Sequence, residues 1–491
     1  MSGGLEHAEG DQVYDVVVVG SGIAGLSAAL AAAEIGASVV VIERATAAES
    51  GGNTRYTEAF LRMKSIDEPA DDLVDALLSD FTSHVDPSIV QEMQNEREGW
   101  GIPARTGNVV DLSVVEALAT NAGETVAWLH EMGVTFAGLP VPCLTTSTSR
   151  ISPVGGGLAM IEALGAKALK VGVQFLYETT ARSLVMNGGL VTGVLVKTLN
   201  GEAEIQGSVV LACGGFEGNP EMLARYTGGR AITSRPVARG SYYNKGEGIE
   251  MALAIGAAAS GNFSEFHSEP IDPRSGAPEP SIFAYPYGIL VNRNGQRFTD
   301  EAPGPADAWY ERISRTINHQ DRGIAYLILD RSAEDVPKLK VGIRSDREPV
   351  VADTIENLAK LLEIPSLELR KTVDEFNNAC TSGIFDADEP DGLCTEGISP
   401  PKSNWARPIA KGPFIAYPLI AAIVFTYGGI RTNEHAEVID SNGRSIAGLY
   451  AAGEITGLYY TNYTGATSVL RGAVFGRIAG REAARNPVKR A

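Results

Sequence analysis

Three glycines, Gly20, Gly22 and Gly25, follow a run of β-branched residues in VYDVVVVGSGIAG, and a carboxylate, Glu43, closes the next apolar run. That spacing suits the diphosphate of a dinucleotide. Gly20 permits a tight turn after the strand, Gly22 lets backbone approach the pyrophosphate, and Gly25 lets the following helix pack closely. Glu43 stands where a carboxylate accepts hydrogen bonds from ribose hydroxyls. Near the other end, GLYYTNYTGATSVLRG sets Tyr459, Tyr460 and Tyr463 just before the first turn of a long helix. Backbone N–H groups free at such a turn favour an anion.

Two more segments decide which dinucleotide. SGGNTRYTEAFLR follows the second strand and GLYAAGEITG lies near the C-terminus; both are needed only if the ligand crosses the domain and ends in a ring system that must be held. This points to FAD. The helix beginning near Gly465 would aim its N-terminus at the pyrimidine edge of that ring, where reduction leaves negative charge. Contacts to the cofactor are expected from Gly20, Gly22, Ala24 and Gly25 in the first turn, and from Glu43 and Arg44 at the end of the second strand. Gly52, Asn53 and Thr54 should follow, then Ala181 and Gly214 in the middle of the chain, and Gly453, Glu454, Ser468 and Val469 near its end.

The elements that must position these residues are legible in part. Tyr14 to Arg44 reads as strand, alanine-rich helix and buried strand, a βαβ unit. VGVQFLYETTARSLVMNGGLVTGVLVKTLNGEAEIQGSVVLACGG reads as a series of strands with hairpin turns at Asn187-Gly188 and Asn200-Gly201. EVIDSNGRSIAGLYAAGE repeats strand, turn and strand, and TGATSVLRGAVFGRIAGREAARN closes the chain as a helix. Between about 262 and 418 the composition shifts to proline-rich turns, the helical stretches DTIENLAKLLEI and SLELRKTVDEFNNAC, and only two clear strands, YGILVN and IAYLIL. The expected fold is therefore α/β: a Rossmann-type FAD-binding domain over residues 12–261 and 419–491, with an inserted α+β cap domain over 262–418.

Composition narrows the function. A chain of 491 residues with 44% hydrophobic and 21% charged side chains buries a large core. Its formal net charge of −19 disfavours nucleic acid and anionic lipid, which both need a basic footprint. The opening MSGGLEHAEGDQ is polar and acidic, unlike a signal peptide, and no apolar run approaches the roughly 20 residues of a membrane span. A cytoplasmic protein that does not itself span a membrane is expected. Cys143, Cys213, Cys380 and Cys394 are widely spaced with no CxxC or CxxCH, and the six histidines show no HExxH, so no metal is expected.

The ordered set VVVVGSGIAGLSAA, SGGNTR, LACGGFEGNPEM, YNKGEGIEMALAIGA, GILVNRNGQRFTDE, GGIRTN and GLYAAGE resembles the flavoprotein family of fumarate reductase and succinate dehydrogenase over nearly the whole chain. Within it, RGSYYNKGEG and RFTDE followed by WYERISR are most similar to tricarballylate dehydrogenase-like members. The resemblance implies a substrate held between FAD and the cap, and hydride exchange at a carbon next to a carboxyl or carbonyl group. Members with covalent flavin carry a histidine in the stretch matched by SGGNTR; Asn53 and Thr54 there imply non-covalent FAD.

Departures from the family bear on the substrate. Phe425 stands where fumarate reductases carry a substrate histidine, Tyr463 where they carry a substrate arginine, and APGPADAW lacks their proton-donating arginine. His267 matches a substrate histidine of the family. Ketosteroid dehydrogenases, distant relatives, also place a tyrosine ahead of this helix. Arg150, Arg239, Arg312, Arg315 and Arg471 lie in segments the family brings to the cleft, so a tricarboxylate and a cyclic ketone both stay open, the closer resemblance favouring the carboxylate.

The chemistry expected is formation or reduction of a C=C bond beside an activating carboxyl or carbonyl. Tyr310, Tyr463 and His267 are the candidates for acid–base and enolate-stabilising roles, with Arg312 as electrostatic stabiliser. Arg55, Arg239, Tyr427 and Arg471 are expected to line the substrate space. No second redox centre is encoded, so electrons must pass to or from a quinone, oxygen or an iron–sulfur or haem partner protein. The alternative from another class is an electron-transfer subunit with FAD but no substrate of its own.

Overall fold

The computed structural model describes residues 12–82, 85–95, 99–106, 111–138, 148–337 and 339–488. The opening segment read for targeting, and Cys143, lie outside them. The first strand, Gln12–Val19, pairs in parallel with Val39–Ile42 on one side and Gly201–Leu211 on the other. Outward from these lie Gln174–Leu176 and Ser445–Ala451, also parallel, with Glu437–Ile439 antiparallel at the edge. Val39, Val40, Val41 and Ile42 are all buried, as a strand covered on both faces requires. The two predicted hairpins are present: Thr180–Asn187 pairs with Leu190–Thr198, which pairs with Gly201–Leu211.

The helix Ile23–Glu34 packs against the closing helix Ser468–Arg485, and the reason is written in both sequences. Gly476 and Gly480 recur four residues apart, and a Cβ on either would collide with the carbonyl oxygen of Ala24 or Ala28. Alanines on one helix and glycines on the other thus let the two backbones approach. Gly25 belongs to the same logic, since a Cβ there would meet the carbonyl of Gly20.

A second sheet carries the cap. Its strands run in the order Phe266–Ile271, Phe414–Thr426, Ile324–Leu329, Ile289–Asn292, all antiparallel, with Val350–Ala352 and Arg235–Pro236 added along the long second strand. The domain limit expected at 418/419 falls inside Phe414–Thr426. Its 13 residues look like a loop exit followed by a strand in sequence because Pro418 interrupts the apolar run, yet the chain stays extended through it. Residues 235–236, expected in the FAD-binding domain, also join this sheet. The predicted helices form as Ile355–Leu361 and Ser366–Ala379.

The register of this sheet matters for the site. His267 lies directly opposite Phe425, with an irregularity between His267 and Ser268. The cap helix Ala306–Asn318 crosses both strands, which brings Tyr310 and Glu311 onto His267.

Candidate functional site

A cavity runs along the C-terminal ends of the parallel strands, with about 1440 Å³ of free space counted out to its mouth. Its lining runs from the first strand–helix turn to the start of the closing helix, the reach that a dinucleotide needs. Gly20 turns with φ +106°, and a Cβ there would strike the carbonyl of Ala212. At Gly22 a Cβ would make only ordinary contacts, with the Thr54 hydroxyl (3.6 Å) and the Gly51 carbonyl (3.7 Å), and the helix it begins has no side-chain cap of its own, although the N–H of Ile23 donates to the Thr54 hydroxyl (3.2 Å). The N-terminus of that helix, beside a residue with no side chain, suits a diphosphate as a cradle. Glu43 is buried and accepts from the backbone N–H of Ser21 (3.1 Å) and Ala45 (2.8 Å) and from the Ser21 hydroxyl (2.5 Å). Its oxygens keep further lone pairs for a ribose.

Ala24, Arg44, Gly52, Asn53, Thr54, Ala181, Gly214, Gly453, Glu454, Ser468 and Val469, also expected to contact the cofactor, line this cavity too. Gly25 does not; it packs beneath it. Arg44 donates to the carbonyl of Tyr243 (2.9 Å) and pairs with Glu247 at 3.0 Å. Asn53 donates to Glu217 (2.7 Å) and to the carbonyl of Val424 (3.1 Å), tying the segment Gly52–Tyr56 to the long cap-sheet strand. Glu217, which sequence reasoning passed over, is buried against Glu454. Burial and that neighbouring carboxylate push its pKa well up, and one of its oxygens meets no donor among the described residues. The Glu454 carboxyl group thus opposes the ionisation of Glu217.

Beyond the cradle the wall changes to Tyr56, Thr57, Glu279, Val424, Phe425 and Arg471, the end where a substrate would lie. Burial first, then the Glu269 carboxylate, raise the pKa of Glu279; Arg344, 3.6 Å away, opposes them. Arg471 is fully buried, donates to the carbonyl of Thr456 (3.1 Å), and lies over the Tyr459 ring at 4.7 Å. Its Nε meets no acceptor, and it pairs with no carboxylate among the described residues.

The FAD binding domain family matches residues 15–470. The chain belongs to that family. This flavoprotein is 27% identical to a vinyl phenol reductase of Lactiplantibacillus plantarum across 96% of each chain. In structure it is similar to the open conformation of a flavocytochrome c3 fumarate reductase, with a TM-score of 0.74, 25% identity, and coverage of 98% of this chain and 79% of that one. It is also similar to the 3-ketosteroid-Δ4-(5α)-dehydrogenase of Rhodococcus jostii RHA1, with a TM-score of 0.67, 26% identity and 98% of each chain covered. The residues of the cavity fit FAD, and the protein is an FAD-dependent oxidoreductase of the fumarate reductase and succinate dehydrogenase flavoprotein family. No described helix is long and apolar enough to cross a membrane.

Behind Phe425 the flavoprotein gathers an aromatic cluster. The His267 ring lies 5.0 Å from Phe425, 5.3 Å from Tyr310 and 4.3 Å from Tyr463. Tyr310 and His267 share a hydrogen bond of 3.1 Å between the phenol oxygen and Nε2, while Nδ1 faces Glu311 at 3.3 Å. Burial pushes the Tyr310 phenol well above its ordinary range, and the Glu269 carboxylate adds to the effect. It is held as a protonated phenol.

Several expected roles are corrected. The Tyr463 hydroxyl accepts from the N–H groups of Thr467 (3.1 Å) and Ser468 (3.2 Å), so it caps the closing helix. Having used its lone pairs there, it donates to the Ser468 hydroxyl at 3.0 Å, which leaves it no free proton for catalysis. Tyr459 likewise bonds Thr467 at 2.7 Å. Tyr460 instead meets the Ser260 hydroxyl (3.1 Å) and accepts from the N–H of Gly261 (3.1 Å), so of the three tyrosines before the helix Tyr463 is the one that caps it. Arg312 points outward over the Trp309 ring at 5.2 Å and cannot stabilise charge in the cavity. Arg239, with its side chain 75% exposed, pairs with Glu49 at 3.3 Å, and Arg55 donates weakly to the carbonyl of Ser50 (3.4 Å). Neither lines the cavity. Tyr427, just past the end of the strand Phe414–Thr426, is buried behind the cavity and donates to Glu311.

Proposed function

We propose that this flavoprotein forms or reduces a C=C bond conjugated with a carbonyl group or an aromatic ring, in a substrate carrying at most one carboxylate. One observation carries the choice between the two substrate classes open in the sequence. The arginines that a tricarboxylate would need are committed elsewhere: Arg150 to Asp307 (2.8 Å), Arg315 to Glu311 (2.7 Å), Arg344 to Glu58 (2.9 Å), and Arg239 to Glu49 at the surface. Arg471 alone of the five arginines singled out in the sequence lines the cavity. One buried guanidinium binds one carboxylate or carbonyl oxygen well. Phe425 and Tyr56 put two aromatic side chains on the wall, which suits a ring. The likeness to a vinyl phenol reductase and to a steroid dehydrogenase supports this reading.

Bound FAD supplies the hydride chemistry. The chain's own part is to seat the unsaturated carbons against Phe425, to hold the activating oxygen at Arg471, and to exchange one proton through Tyr310, whose hydroxyl His267 orients. Tyr310 stands with His267 behind Phe425 and not on the cavity wall itself. A phenol kept protonated by burial suits proton delivery to carbon, the direction of reduction. We assign electron exchange to an external partner, a quinone, oxygen or an iron–sulfur or haem protein.

The test is anaerobic and reads the visible absorption of the bound FAD. Dithionite-reduced holoenzyme is offered 4-vinylphenol, a cyclic enone and fumarate; oxidised holoenzyme is offered tricarballylate, succinate and a 3-ketosteroid. A response to the phenol, the enone or the steroid is expected. A response confined to fumarate, succinate or tricarballylate would overturn the proposal, and no response to any, with FAD bound, would replace it by an electron-transfer role.

A further inference from the structure

Glu311 is the point on which the aromatic cluster converges, although nothing in its sequence context marks it. The residue is 8% exposed, and its carboxyl group takes donors from four elements. His267 Nδ1 lies at 3.3 Å from the sheet strand Phe266–Ile271, and the backbone N–H of Tyr463 at 2.9 Å from the loop before the closing helix. The Tyr427 hydroxyl comes from just past the long strand, and Arg315, one turn along the same cap helix, donates at 2.7 Å. Burial alone would raise the pKa of Glu311, but the hydrogen bond and charge of His267, with Arg315 and Tyr427, outweigh it and hold the group below its ordinary value. The carboxylate is ionised and can only accept.

That fixes the imidazole. Facing an acceptor, Nδ1 must carry a hydrogen, so in neutral His267 the lone pair is on Nε2. Nε2 is the atom 3.1 Å from the Tyr310 oxygen, and the phenol therefore donates to it. Phenol, imidazole and carboxylate stand in line, as hydroxyl, imidazole and carboxylate do in a nucleophile–base–orienter triad. We infer that Glu311 is a positioning residue that sets the His267 tautomer and balances the imidazolium charge, so that Tyr310 and His267 act as one proton-exchanging unit. This rests on the proton-exchange role proposed for Tyr310. In the oxidative direction the C–H bond of substrate breaks, its proton passes to the Tyr310 oxygen, and the Tyr310 proton moves to Nε2, while the electron pair enters the new double bond; bound FAD would supply the acceptor for the hydride of the neighbouring carbon. In reduction each transfer reverses. Besides Tyr310 and Glu311, the charged or titratable groups around His267 are Arg315 on the cap helix, Glu269 on its own strand, Tyr427 beyond the long strand and Tyr463 before the closing helix.

The experiment labels the histidines of the holoenzyme with ¹⁵N and reads the His267 ring nitrogens by NMR, assigned by their loss in His267→Gln. Wild-type protein is expected to show the Nδ1–H form. Glu311→Gln, whose amide can donate to Nδ1, should move His267 to the Nε2–H form, lower kcat by at least about tenfold with KM changed less, and shift the pH dependence of kcat. Glu311→Asp, which keeps the acceptor, should recover part of the Nδ1–H signal and of kcat. An Nε2–H form in the wild type overturns the inference without any variant. So does a Glu311→Gln protein that keeps the Nδ1–H form, or one that loses thermal stability with its pH profile unmoved. The tautomer is read without substrate, so a wrong substrate class cannot be mistaken for a wrong role of Glu311.

Discussion

A single hydroxyl separates the acid–base reading of Tyr310 from a packing role. Tyr310→Phe keeps the ring that stands edge-on to His267 and Phe283 but removes the proton, so FAD should stay bound while turnover falls by about 10²–10⁴-fold. Arg312→Ala, by contrast, removes only an exposed cation over Trp309 and should leave turnover within about twofold. Steady-state rates with the substrate found in the anaerobic test check both, and equal losses in the two variants would sink the assignment. The contrast also shows which residues a sequence discloses. Gly20, Gly22 and Glu43 were legible because a diphosphate and a ribose dictate backbone turns and a fixed spacing within one βαβ unit. Arg312 and Tyr463 misled because an arginine or tyrosine advertises its chemistry but not its partner. Whether Tyr463 serves a substrate or caps a helix depends on where its hydroxyl points, and Glu311 acquires meaning only from His267, 44 residues away along the chain.

At the scale of elements, the close approach of the first helix and the closing helix controls the shape of the cradle, because Ala24 and Val469 lie on its wall. Alanine is ordinarily better than glycine inside a helix by about 0.5–1 kcal/mol. At Gly480 the added methyl would meet the carbonyl of Ala28, and overpacking of that kind costs about 1–3 kcal/mol. The steric cost wins, so Gly480→Ala should lower the thermal midpoint and weaken FAD retention. Gly165 sits in the helix Gly156–Lys170 with open space where its Cβ would be, so Gly165→Ala should raise the midpoint. Differential scanning fluorimetry of both variants checks the opposite signs; a rise for Gly480→Ala would mean the helices can separate without consequence. These elements were foreseen because their periodicity is local. The cap limit was not, because sheet membership of Phe414–Thr426 is decided by strands far away in sequence, and Pro418 masks its continuity.

Across the whole molecule, acidic groups outnumber basic ones, with a formal net charge of −19, and rising pH should weaken the fold through self-repulsion. One buried group works against that trend. Lys402, 1% exposed in the cap, donates to the carbonyls of Pro286 (2.7 Å) and Gly288 and lies 6.0 Å from the Phe376 ring centroid. Burial lowers its pKa to about 8, only partly countered by Glu301. An unfolded lysine titrates near about 10.4. Between those values the unfolded chain binds the proton that the folded chain has released, so this lysine favours folding increasingly as pH rises from about 8 toward about 10.4. Below that window the charged ammonium carries its full desolvation cost. The shift corresponds to roughly 3 kcal/mol across the window. Lys402→Met removes the titration, leaving the Pro286 and Gly288 carbonyls unpaired at every pH, so its stability relative to wild type should fall by about that amount between pH 8 and pH 10. Urea unfolding of both proteins through the window measures the difference directly. Parallel curves would mean that Lys402 keeps its proton when folded, and that the carbonyls and Glu301 stabilise the ammonium more than burial penalises it.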